Sequence, residues 1–178
     1  EPCRSFSHHD SKMTDRLLPL PWDDGVVDVT FSIAGVHHVD DKRPLFRELA
    51  RVAKPEGSLV LADVHEDSVV GDFLDGFVGA HNSTGHDGLY LGPHTLEELE
   101  SSGWQVFSER RQPFRWWFSD VSAMAAFCQS LFDLRHADLG QIEKAVTGML
   151  GVEEGPDGVG MNWELYYIVA RKRPGSRA

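Results

Sequence analysis

The chain has 178 residues, with 17 Lys and Arg against 28 Asp and Glu, a formal net charge of -11, and 41% apolar residues. That length suits one folded unit with a real core, and 17 Gly and 9 Pro are ordinary for a globular chain, which excludes disorder and fibrous repeats. The acidic balance argues against a nucleic-acid partner, no apolar run approaches the ~18 residues of a membrane span, and two cysteines, Cys3 and Cys128, make neither a disulfide framework nor a zinc knuckle, so a reducing, cytoplasmic setting is expected.

Residues 1–21 are polar and weakly periodic, with a short strand conceivable at Ser5–His8 and an extended connection at Leu17–Pro21, where each proline disfavours helix in the residue before it. Asp23-Asp24-Gly25 is a turn signal. The run from Val26 to Ile33 is dense in β-branched and aromatic residues and reads as a strand covered on both faces. Asp40 to Ala53 reads as a helix capped by Asp40 or Asp41, with Leu45, Phe46, Leu49 and Val52 on one face. Lys54-Pro55-Glu56-Gly57 stops it, and Ser58 to Val64 is the next strand, which makes a strand–helix–strand unit. Glu66 to Ala80 reads as a helix that buries Val69, Phe73, Phe77 and Ala80, followed by a polar glycine-rich loop at 81–88. Thr95 and Glu98 have the spacing of a capping box that opens a helix over Leu96–Ser102. A strand follows at Trp104–Arg111, then the aromatic run Phe114–Phe118. Ser119 or Asp120 caps a helix to about Leu134, a second helix spans Leu139–Leu150, and Glu153–Gly160 is an acidic loop. Met161–Lys172 is a closing strand. The expected organisation is one domain over 1–173, with a helical insertion at 113–160 and a flexible tail at 174–178.

Four linked pieces carry a resemblance. They are Leu18-Pro19-Leu20-Pro21, Val27-Asp28-Val29, His37-His38-Val39-Asp40, and the run from Arg51 through Val52, Ala53, Lys54, Pro55 and Glu56 to Gly57. In this order and spacing they resemble the class I S-adenosylmethionine-dependent methyltransferases of the ubiquinone-biosynthesis-like, type 11 branch. The resemblance implies an α/β, Rossmann-like doubly wound sheet with an antiparallel last strand. It implies S-adenosylmethionine as cofactor and a small, partly apolar methyl acceptor. The glycine-rich loop of that family is absent from this sequence, so an N-terminal part that is reduced or missing is expected. Glu1 then matches the acid that holds the ribose, Asp10 or Asp15 the acid near the adenine, and Ser32, Ile33, Ala34 and Gly35 the stretch that lines the cofactor.

Ligands bind beyond the carboxyl ends of strands in open α/β sheets. His37 follows such an end and is the candidate catalytic base and acceptor contact, with Asp63 on the same rim. Asn82, His86, Tyr90 and Trp117 are the other candidate acceptor contacts. A homo-oligomer is compatible with this reading. The second reading is a methyltransferase-like scaffold that binds no cofactor. A third is a metal-dependent hydrolase built on His65, His81 and His86, but no spacing fixes a third ligand, so no metal is expected.

Overall fold

The computed structural model describes residues 16–174. Strand β1 (Val27–Ile33) runs into helix α1 (Arg43–Val52) and returns as β2 (Ala53–Asp63), parallel to β1. The sheet order is β1-β2-β5-β3, with β3 spanning Trp104–Phe118 and β5 spanning Gly158–Lys172. β5 lies antiparallel to both β2 and β3, pairing Leu61 with Ile168 and Asp63 with Tyr166. β4 (Val152–Gly155) pairs with β5 beyond the end of β2. The acidic loop expected at 153–160 is therefore a hairpin, and β5 begins before Met161.

Each helix begins where local chemistry satisfies its first amides. α1 starts at Arg43, later than expected. Asp41 Oδ1 accepts from the Arg43 amide at 3.1 Å, and Pro44 occupies the first turn, where a missing N–H costs nothing. Ser68 Oγ accepts from the Gly71 amide and opens α2 (Val69–Asp72). This helix continues through a widened turn, Phe73–Val78, into Gly79–His81. The widening and the later start change the buried face to Val70, Phe73, Leu74 and Val78, and Val69 is exposed. α3 (Pro93–Ser101) begins a turn earlier than the expected capping box. Gly92 is its cap, and Thr95 Oγ1 accepts from the Gly92 amide at 3.1 Å. Asp120 caps α4 (Val121–Leu131) and Asp138 caps α5 (Leu139–Ala145), which runs on through Val146–Leu150. Of the stretch expected as a helical insertion, Pro113–Phe118 belongs to β3, whose 15 residues include the whole aromatic run.

Two apolar clusters hold these elements. In one, α1 and α3 cover the sheet through Phe46, Leu49, Leu59, Leu61, Leu99, Trp104 and Ile168. Trp104 is fully buried and its indole N–H donates to the Phe46 carbonyl at 2.9 Å, so its one polar atom is satisfied. In the other, α2, α4 and α5 pack on the far ends of β3 and β5 through Phe73, Met124, Cys128, Ile142, Met161 and Trp163. Burial pushes the Cys128 thiol up to about 11, so it is an apolar filler rather than a nucleophile.

β1 departs from expectation. Val29, Phe31 and Ile33 share one face and are 56%, 71% and 63% exposed. Among the described residues β1 pairs only with β2, so it is an edge strand and one row of its side chains is open. Asp28 is exposed too and pairs with Lys54 at 2.8 Å, a structural role.

Candidate functional site: a histidine–aspartate pair at the mouth of an apolar cavity

Beyond the carboxyl ends of β1 and β2 lies a cavity of about 480 Å³. Its walls include Ile33, Ala34, Val64, Leu74, Phe114, Trp116, Phe132 and Trp163, and its polar rim includes His37, His38, Asn82 and His86. Ala34 takes a left-handed backbone (φ 48°) and turns the chain out of β1 toward this space.

His37 sits on the rim, and Asp63 stands behind it. Asp63 ends β2, has no solvent exposure, and accepts from His37 Nδ1 at 2.7 Å. It also accepts from the Val36 and Val64 amides at 3.0 and 2.8 Å. Burial alone would favour the neutral acid. The His37 hydrogen bond, the His37 charge and the two amides outweigh it and hold the carboxyl below its usual range. An ionised Asp63 only accepts, so Nδ1 of His37 is the donor in this pair and Nε2 is the nitrogen not engaged by it.

The polar loop after α2 closes over this pair. The Leu89 amide donates to the His37 carbonyl at 2.8 Å. The buried Lys42 ammonium donates to Leu89 O at 2.7 Å and Val39 O at 3.1 Å, so the two loops are stitched together. Burial lowers the Lys42 pKa, and nearby Glu98, Asp63 and Asp40 oppose that. Close approach sets the sequence here: a Cβ at Gly79 would stand 2.8 Å from the His86 carbonyl oxygen. Asp75 Oδ1 accepts from His86 Nδ1 at 3.0 Å, from the Gly88 amide at 3.0 Å, and from Tyr90 Oη at 2.6 Å. Burial, then the Asp75 carboxylate, drives the Tyr90 phenol pKa far up, so Tyr90 stays a donor. Burial, then repulsion from His37 and His86, lowers the His38 pKa although part of its ring is open to solvent.

The expected residues separate accordingly. His37, Asn82 and His86 reach the rim, and Ile33 and Ala34 line the wall. Ser32 and Gly35 do not line the cavity, and Ser32 Oγ packs against Gly35 instead. Asn82 is committed structurally, donating to Phe132 O at 2.6 Å and accepting from the Thr84 amide at 2.7 Å. Tyr90 stands behind His86 and supports Asp75 without lining the cavity. Trp117 is 51% exposed and lies against Gly155 and Gly160. Its neighbour Trp116 faces the cavity, because successive strand residues point to opposite faces. Asp75 and Lys42 gave no sequence signal, since neither sits in a motif. Glu1, Asp10, Asp15, Cys3 and the conceivable strand at Ser5–His8 lie outside the described residues. The three histidines weighed for a metal do not converge. His65 Nδ1 accepts from the Asp67 amide, and His81 Nδ1 bonds Phe77 O at 2.9 Å, while His86 meets His37 and His38.

Comparison with known proteins agrees with this architecture. A family model described as a methyltransferase domain matches residues 6–61. Tocopherol O-methyltransferase of Arabidopsis thaliana is 26% identical, over 88% of this chain and 48% of its own length. The matched segment and this relative are both methyltransferases, and the resemblance runs over most of the chain. The chain spans about half the length of that curated relative. The fold is shared with a candidate methyltransferase of Bacillus halodurans C-125, with TM-score 0.57, 16% identity, and 87% of this chain covering 68% of that one. It is shared also with the [4+2]-cyclase SpnF, with TM-score 0.52, 20% identity, and 88% of this chain covering 53% of that one. A cyclase on this fold means that the fold alone does not fix the reaction. Among the described residues no helix is long and apolar enough to cross a membrane.

Proposed function

We propose that this chain serves the transfer of a methyl group from S-adenosylmethionine to a small, partly apolar acceptor held in the cavity. The observation that carries the reading is His37 lining the mouth of that cavity with its Nδ1 held by a buried carboxylate, which leaves Nε2 for an acceptor. A scaffold needs no such pair, and the similarity to methyltransferases also weighs against the scaffold reading.

The described residues suit one side of the cofactor. Ile33 and Ala34, at the open end of β1, line the cavity where the resemblance places the cofactor. The ribose contact expected of Glu1 lies outside them. Bound S-adenosylmethionine supplies an electrophilic methyl group. The remaining work belongs to the protein. Leu74, Phe114, Trp116 and Trp163 hold the apolar part of the acceptor and exclude water. His37 Nε2 accepts the proton that the acceptor's O–H or N–H releases as its heteroatom takes the methyl. Asp63 holds the ring in the required tautomer and stabilises the imidazolium so formed. Positioning supplies much of the rate, since the displacement depends on alignment.

The test has two stages. Calorimetric titration with S-adenosylhomocysteine reads cofactor binding by this chain, and its absence removes the reading for the chain as given. Transfer of labelled methyl to a panel of phenols and quinols then compares the wild type with His37→Gln. A fall in turnover of about 10²–10⁴ is expected for loss of a general base. Unchanged turnover removes that role from His37.

A further inference from the structure

We propose that His37, His38 and His86 form a binding site for one divalent transition-metal ion, of the zinc, cobalt or nickel kind, at the mouth of the cavity. The ligand atoms of these three residues all lie within 4.8 Å of one another. Their ring centroids are 4.1, 5.3 and 5.7 Å apart. A tetrahedral ion with metal–nitrogen bonds of ~2.0–2.1 Å needs nitrogens ~3.4 Å apart, so the ligand atoms must close by at most about 1.4 Å. Rotation of the exposed His38 side chain can supply much of that movement.

The surroundings point the same way. A histidine that binds metal almost always gives its second nitrogen to a carboxylate, carbonyl or water, which fixes the tautomer and aims the other nitrogen at the ion. Two of the three rings already have this partner. Asp63 holds His37 Nδ1 at 2.7 Å and Asp75 holds His86 Nδ1 at 3.0 Å, so Nε2 is the free nitrogen of each. Asp75 is in turn fixed by Tyr90 and the Gly88 amide. The two loops carrying the rings are tied by the bond from the Leu89 amide to His37 O. The two outer carboxylates also offset the double charge of an ion held by neutral imidazoles. Three imidazoles suit zinc and its transition-metal neighbours and not magnesium or calcium, which want oxygen ligands.

Three protein ligands leave a fourth position for water or an acceptor heteroatom. This last step rests on the proposed methyl transfer, but the site itself does not. Metal and proton would compete for His37 Nε2, so an occupied site replaces the base by a Lewis acid at the same point.

The experiment is a titration of the chelator-treated chain with Co²⁺, read by visible absorption, followed by displacement with Zn²⁺. Neither cofactor nor acceptor is present, so failure here leaves the methyl-transfer reading untouched, and transfer that persists in chelator leaves this one untouched. One equivalent per chain with a tetrahedral spectrum is expected. His38→Ala and His86→Ala should each weaken binding at least tenfold, and Asp75→Asn by about 10–100-fold. His38 is exposed, so His38→Ala should fold, and circular dichroism checks it. Absence of stoichiometric binding overturns the proposal. So does binding that the His38→Ala/His86→Ala double variant leaves unchanged, which would locate the ion elsewhere.

Discussion

Asp63 organises the site through one buried carboxylate. Its oxygens accept from His37 and from the amides of Val36 and Val64, and no water competes. Asp63→Asn keeps the size but turns one acceptor into a donor. The Val36 amide at Oδ2 or the pair at Oδ1 then faces an N–H, and a buried donor is left unmade. We expect a loss of about 2–4 kcal/mol of stability, as for breaking a buried charge-assisted network. Urea denaturation at neutral pH measures it. A loss under ~1 kcal/mol would mean that Asp63 does not order the loop after β1. The residue scale is also where sequence reading was uneven. His37 was legible because it follows a strand end beside its motif. Asp75 was not, because it lies mid-helix and becomes a partner of His86 and Tyr90 only when the later loop folds back.

At the scale of elements, the parallel unit of β1, α1 and β2 was legible because periodicity and turn residues are local. What escaped was set by distant contacts. The aromatic run at Phe114–Phe118 carries no sign that it continues β3; pairing with β5 decides that, joining Phe114 to Trp163 and Phe118 to Val159. Once it is a strand, alternation fixes which indole faces the cavity. Trp116 packs with Phe127 and Trp163 at ring distances of 5.2 and 5.6 Å, whereas Trp117 is half exposed. Trp116→Ala should therefore cost about 2–3 kcal/mol, below the ~3–5 kcal/mol of a fully buried tryptophan, and should raise the KM for an apolar acceptor. Trp117→Ala should cost about 1 kcal/mol or less and leave KM unchanged. Equal effects of the two variants, in denaturation or in KM, would mean that the strand face has been assigned wrongly. The same alternation explains β1: a run of apolar residues fits a covered strand, but cover depends on neighbours that the run itself does not specify.

At the scale of the molecule, the segment before β1 is fastened across α1 by a clamp built on Arg51. The Arg51 guanidinium donates to the Leu20 and Trp22 carbonyls, to Asp24 Oδ1 at 2.7 Å, and to both Glu48 oxygens at 2.8 and 2.9 Å. Glu48 Oε2 also accepts from the Leu20 amide at 3.0 Å. The Arg51 hydrogen bond, aided by that amide and opposed by slight burial, holds the Glu48 carboxyl below its ordinary value of 4.5. A depressed carboxylate stabilises the folded chain fully above its unfolded pKa. That contribution is lost as pH falls through the lower, folded value, because the unfolded chain then binds the proton first. The pair is partly solvated, so the effect is small, but its pH window is specific. Glu48→Gln should melt at a lower temperature than the wild type by a constant margin from about pH 8 to pH 5.5, and the margin should shrink below about pH 4.5. Melting curves of both proteins across that range decide it. A margin that stays flat down to about pH 3 would mean that Glu48 holds the clamp by shape and not by charge.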